Sequence, residues 1–206
     1  MPVAVRVLAG LTVAVVVIAL ALQFVLILHA VSVRRLGPAA GVVVFLIFFT
    51  TQINALAGLV TLAAAAGWPW LARNDSFRTA VAVYMLVSGL IFVTILRPYY
   101  HHHGLQHLAD MLLHYATPVL YAVFWVLAVP KRSLRWRDPL IWLVYPAIYV
   151  VLALLFGSAT GFFPYPFINL NRLGFWSTSA NVVSLGMVIV VTGLAVVAGA
   201  RRFARR

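Results

Sequence analysis

Cysteine is absent from this chain, glutamate is absent too, and three aspartates (Asp75, Asp110 and Asp138) face fifteen basic residues. Without cysteine there are no disulfides, thiolate metal sites or thiol nucleophiles. With so few carboxylates there is little to complete and support a metal site. Charge of any kind is scarce, at 9 % of 206 residues, while 65 % are hydrophobic. That balance, with a mean hydropathy of +1.06, lies far outside the range of soluble globular domains. The short alternating segments of a β-barrel are missing. No internal repeat is visible, which counts against an inverted-repeat transporter. No lipidation motif occurs, and one Arg before a long apolar run without a small-residue cleavage site reads as a retained first helix.

What the chain does have is long apolar runs. Stretches of about 18 or more apolar residues recur along its whole length, the mark of a polytopic α-helical membrane protein. Six spans are expected, at 7–30, 39–66, 78–97, 105–129, 139–157 and 178–199, forming one all-α bundle over residues 1–206. With both termini cytoplasmic, the inside segments hold Arg6, Arg73, Arg78, Lys131, Arg132, Arg135, Arg137, Arg201, Arg202, Arg205 and Arg206, and the outside holds Arg34, Arg35, Arg97 and Arg172. This positive-inside bias agrees with an even number of spans. The same distribution excludes nucleic acid as a partner, because the basic residues cap spans instead of forming a face with interleaved aromatics. "KRSLRWRD" (131–138) and "RRFARR" (201–206) are topology signals expected to lie against anionic headgroups. The short loops and heavy use of arginine suit a bacterial inner membrane.

Within this apolar frame, "FLIFFTTQINALAG" (45–58) places Thr50, Thr51, Gln52 and Asn54 near the middle of the second span. On a helical wheel Thr50, Asn54 and Thr61 fall within about 40° of one another, and Gln52 points nearly the other way. Such a stripe can be helix-packing glue. The fourth span sharpens the reading. In "HLADMLLHYATPVLYAVFW", His107, Asp110, His114, Pro118, Tyr121 and Trp125 share one face. An inward ionisable residue in a membrane marks a functional site by default. Asp110 is one turn before His114, able to fix its tautomer, and Pro118 cannot donate to the carbonyl of His114, so the helix should loosen there. Thr50 and His114 should both lie roughly 10–15 Å from the outer surface, at 1.5 Å per residue.

A hydroxyl beside an imidazole that is itself held by a carboxylate is the minimal layout for nucleophilic acyl transfer. Thr50 is then the nucleophile, His114 the base and Asp110 its support. Asn54, with Asn181 second, is the candidate donor to an oxyanion. Pro118, Tyr121 and Trp125 would line the substrate pocket. Thr51 remains an alternative nucleophile, although the wheel favours Thr50. "HHHGLQH" (101–107) offers imidazoles that a metal could use, but solvated interfacial histidines fit the shortage of carboxylates better, so neither metal nor cofactor is expected. "GFFPYPF" (161–167) suits a rigid loop at headgroup level, either an anchor or a lid.

"FFTTQIN", "ADMLLHYATPVLYAVFW", "VPKRSLRWRDPLIWLVYP" and "GFFPYPFINLNRLG" together resemble the bacterial branch of the androgen-induced-protein/androgen-dependent TFPI-regulating protein family, over essentially the whole chain. The resemblance implies a membrane threonine hydrolase of the kind that cleaves fatty acid esters of hydroxy fatty acids. It carries the catalytic Thr to Thr50, after Phe48-Phe49, and the catalytic His to His114, before "YATPVL". The expected substrate is a lipid or fatty-acyl ester met near the outer leaflet. The alternative is a small-molecule transporter or ligand-binding membrane protein with a cavity gated by His114 and Asp110.

Overall fold

The computed structural model describes residues 1–68 and 74–203, the last of these by its backbone. Arg73, Arg205 and Arg206 of the charge pattern lie outside them. The protein is 83 % helical, with no strand among the described residues. Six helices there are long and apolar enough to cross a membrane: Val3–Val33, Phe49–Ala66, Asp75–Leu96, Gly104–Ala128, Asp138–Thr160 and Leu170–Arg202. This is an integral α-helical membrane protein. Its chain divides into two compact units, Met1–Ser133 and Leu134–Arg206.

The first unit begins with α1 (Val3–Val33), which packs through small residues. A Cβ on Gly58 would sit 2.9 Å from Val16, and one on Gly41 would sit 2.6 Å from Leu28. The second span does not run straight. It is divided into α2 (Pro38–Ile47) and α3 (Phe49–Ala66) by Phe48, whose ψ of 124° is extended. A broken helix leaves carbonyls without their intrahelical donors, and Gln52 reaches back to mend it, its Nε2 donating to Leu46 O at 2.7 Å. The polar residue that the wheel points away from the stripe thus serves the backbone.

The third span is α4 (Asp75–Ile91) followed by a π turn, Phe92–Leu96. The fourth span repeats this plan as α5 (Gly104–Met111), a π turn at Leu112–Ala116, and α6 (Thr117–Ala128). A single residue separates each π turn from a proline. Arg97 N–H, next to Pro98, bonds Phe92 O, and Thr117 N–H, next to Pro118, bonds Leu112 O. A proline cannot donate and its ring crowds the carbonyl four residues back, so the register slips by one residue ahead of it. The loosening expected at Pro118 takes this form.

At the far end of α6, Tyr121 OH donates to Arg78 O (3.0 Å) and Trp125 Nε1 to Thr79 Oγ1 (2.9 Å), fastening α6 to α4. Arg78 is buried. It pairs with Asp75 at 3.5 Å, donates to Ala128 O and lies over the Phe124 ring. Lys131 caps the same helix end by donating to the carbonyls of Trp125, Val126 and Val129.

In the second unit, α7 (Asp138–Ile141) and α8 (Val144–Thr160) form one span with a break at Trp142–Leu143. The missing amide of Pro146 would have bonded Trp142 O, so the break falls just ahead of the proline. The aromatic loop is held internally. Tyr165 and Phe167 stack at 5.1 Å, and Phe163 lies so close to Gly157 that a Cβ there would clash with its ring. The last helix, α9 (Leu170–Phe203), is interrupted at Gly174, whose φ of 74° suits glycine.

Burial, and then the nearby Arg78 charge, lower the Lys131 pKa from 10.5 to about 8. The charged form is therefore disfavoured in the fold, and this group's contribution to stability grows as pH rises from about 8 towards 10.5. Lys131 is the sole lysine. Acylation by an amine reagent, mapped by peptide mass spectrometry, should be half-maximal near pH 8 in the folded protein and move towards the free-lysine value on unfolding.

Candidate active site

The broken second span and the two π turns converge on one pair of side chains. Thr50 Oγ1 lies 3.3 Å from His114 Nε2, with both residues buried. The other ring nitrogen, Nδ1, lies 3.2 Å from the backbone carbonyl of Asp110. A carbonyl oxygen can only accept, so Nδ1 carries the proton. In the neutral ring Nε2 is then the acceptor, and Thr50 donates its hydroxyl hydrogen to it. This is the tautomer a general base needs.

The imidazole is fixed from a third side by Phe92, whose ring stacks on it at 4.0 Å with 11° between planes. The π turn of the third span thus supplies the wall for the π turn of the fourth. Close approach is possible because Gly89 has no side chain: a Cβ there would sit 3.0 Å from His114 O. Since Pro118 has no N–H for it, that carbonyl is left to face α4.

Asn54 serves the same distortion. Thr117 N–H has moved to Leu112 O, so Leu113 O loses its ordinary donor. It receives Asn54 Nδ2 (3.3 Å) instead, and the Thr117 hydroxyl, 3.1 Å away, shares its one hydrogen between this carbonyl and Asn54. Asn54 Nδ2 also bonds Thr50 O at 2.9 Å, and its Oδ1 accepts from Thr117. The amide expected as an oxyanion donor is thus committed to locking α3 onto the turn that carries His114. Thr61, the third member of the stripe, bonds back to Ala57 O and Gly58 O.

The contact expected between the Asp110 carboxylate and His114 is replaced by one through the Asp110 backbone. The carboxylate turns towards the loop, where His102 Nδ1 meets Oδ2 at 2.6 Å and Gln106 Nε2 donates to Oδ1 at 3.4 Å. Gln106 also donates to Gln23 of α1 (3.1 Å), and Tyr100 stacks on His102. Asp110 is therefore pinned by its side chain while its carbonyl orients His114. His107 is exposed. Among the described residues no three His or Asp converge where they could hold a metal ion.

Of the remaining expected residues, Thr51 is buried beside Thr50, but Thr50 is the one that meets His114. Pro118 and Tyr121 are buried and Trp125 is half-buried. Tyr121 and Trp125 are engaged with Arg78 and Thr79, about two to three turns from His114 along the helix. They are not brought to the pair. Asn181 belongs to the second unit, where its Nδ2 donates to Phe167 O. Sequence reasoning missed Phe92, Gly89 and His102. The repeated pattern of a five-residue apolar turn, one residue and a proline ("FVTILRP", "LLHYATP") was the available signal for the first two.

No family model matches the chain, and comparison with curated proteins and with solved structures likewise gave no match.

Two outcomes are expected here. In ¹⁵N spectra of histidine-labelled protein at neutral pH, the His114 resonances should show a protonated Nδ1 and an unprotonated Nε2, and the reverse assignment would contradict the bonding above. Asn54→Leu strips Leu113 O and Thr117 of a buried partner and should destabilise the protein by about 2 kcal/mol in thermal or denaturant unfolding.

Proposed function

We propose that this protein is an intramembrane hydrolase of lipid acyl esters, with Thr50 as nucleophile and His114 as general base and then acid. The observation that carries the reading is the buried 3.3 Å contact from Thr50 Oγ1 to His114 Nε2, with Nδ1 held on a carbonyl. In the reaction, Thr50 Oγ1 bonds to the acyl carbon as its proton passes to Nε2. The tetrahedral adduct collapses, and the departing alcohol takes the proton from His114. Water then gives a proton to Nε2 and attacks the acyl-threonine, so the acid leaves and the Thr50 hydroxyl is restored. Because α3 begins at Phe49, the positive end of its dipole falls beside Thr50, where negative charge develops.

The resemblance to the androgen-induced-protein/androgen-dependent TFPI-regulating family supports the same pair and points to fatty acid esters of hydroxy fatty acids as the substrate class. The charge bias supports cytoplasmic termini in a bacterial inner membrane, with the pair near the outer leaflet.

A second reading, a transporter or ligand-binding protein, is favoured by one feature: the helix interrupted at Phe48, a device that membrane carriers use at binding sites.

Fluorophosphonate labelling of the purified, folded protein separates the two. Wild type and Thr51→Ala should label, while Thr50→Ala and His114→Ala should label about a thousandfold more slowly or not at all with unchanged circular dichroism. Undiminished labelling of Thr50→Ala removes Thr50 as nucleophile. A folded wild type that never labels, yet moves a ligand across liposomes in a manner lost in His114→Gln, establishes the second reading.

A further inference from the structure

We propose that the arginine-lined end of the second unit is a binding site for the phosphate of an anionic phospholipid, with Arg201, braced on Trp136, and Arg202 as its principal ligands. The inference is independent of the chemistry at Thr50.

The end of α9 is drawn onto the segment that opens the fifth span. A Cβ on Gly193 would lie 2.9 Å from Pro139 and 3.2 Å from the Trp142 ring. Two turns further on, the Arg201 guanidinium sits over the Trp136 ring, 5.7 Å from its centroid. Trp136 is 53 % exposed and is flanked in sequence by exposed Arg135 and Arg137. A cation–π contact restrains a guanidinium without using its N–H donors, which stay available to a phosphate.

Nothing acidic competes for these arginines. Asp138 is the one carboxylate of the unit. It is 5 % exposed, and its Oδ2 accepts the backbone N–H of Arg135 at 3.0 Å. Its charge thus caps the turn. Among the described residues no carboxylate pairs with Arg135, Arg137, Arg201 or Arg202. Two cations of the first unit are already committed, Lys131 to three carbonyls and Arg78, buried, to Asp75. A topology signal requires only a count of charges. Two adjacent arginines, one of them held over an exposed tryptophan ring and neither paired with an acid, are a more specific arrangement.

A lipid fits better than a soluble phosphate. Asp138 opens one span and Arg202 closes another, so the patch lies at a membrane border, where exposed tryptophan is at home. Leu140, Ile141 and Val144, all more than half exposed, follow directly along the fifth span and offer an apolar surface for acyl chains. Arginine at such a border strengthens the binding of anionic headgroups.

Native mass spectrometry of the delipidated full chain, released from neutral micelles with equimolar phosphatidylglycerol and phosphatidylcholine, tests the site. Wild type should retain phosphatidylglycerol over phosphatidylcholine by about tenfold. Arg201→Gln with Arg202→Gln should bring the ratio near parity. Arg202→Gln alone, at an exposed position that leaves the Trp136 stack intact, should lower it several-fold if the double variant does not fold. Arg172→Gln should leave it unchanged. Parity in the wild type, or a ratio preserved in the arginine variants, overturns the proposal. Displacement of the lipid by an equal concentration of glycerol phosphate also overturns it, assigning the site to a soluble anion.

Discussion

A backbone amide or carbonyl inside a bilayer has no water to turn to, so each interruption of a membrane helix must be mended from within the protein. Most of what is unusual in the first unit follows from that constraint. At Phe48 the chain leaves the helix, and Gln52 covers Leu46 O. Before Pro98 and Pro118 the helix slips into a π turn, so that the last available N–H bonds five residues back. Where α6 ends, Lys131 takes three carbonyls. Side chains that look like scattered polar intrusions are the local answers to a broken backbone.

The π turns also build the site. Phe92 of one turn lies flat against His114 of the other, the slip takes from Leu113 O its ordinary donor, and Pro118 takes it from His114 O. Asn54 answers the first, and in doing so it ties Thr50's helix to the turn that holds His114. The missing side chain of Gly89 gives the second room against α4. The 3.3 Å approach of Thr50 to His114 is therefore over-determined by backbone repair, stacking and close packing. Such over-determination holds the two side chains in one geometry.

The sequence was most informative where one residue type has one physical consequence. Long apolar runs identify six spans, and the loosened turn at His114 follows from a proline's missing amide. Thr50 and His114 were legible as residues at a common depth. Their actual contact was not, because it depends on where a helix breaks, and Phe48 differs from the phenylalanine beside it in nothing a sequence displays. The partner of the Asp110 carboxylate was hidden for a related reason. Helical spacing permits Asp110 to meet His114 at i, i+4, but His102 competes from a loop whose path no periodicity encodes. Asn54 and Gln52 looked alike as amides in a greasy helix, and only the identity of the orphaned carbonyls separates their jobs.

The backbone carbonyl behind His114 has an energetic logic of its own. A carboxylate at that position would stabilise an imidazolium strongly, but it would also have to be carried charged into a low-dielectric interior at a cost of several kcal/mol. A carbonyl fixes the same tautomer without that cost. Asp110 contributes both groups from one residue. Its backbone carbonyl orients the ring, while its carboxylate, 11 % exposed, is paired with His102, whose side chain is 36 % exposed. In the proposed reaction the imidazolium would exist only while the tetrahedral adduct does, balanced by the adduct's own negative charge beside the positive end of α3. A carboxylate in direct contact with the ring is then unnecessary to the proposed step.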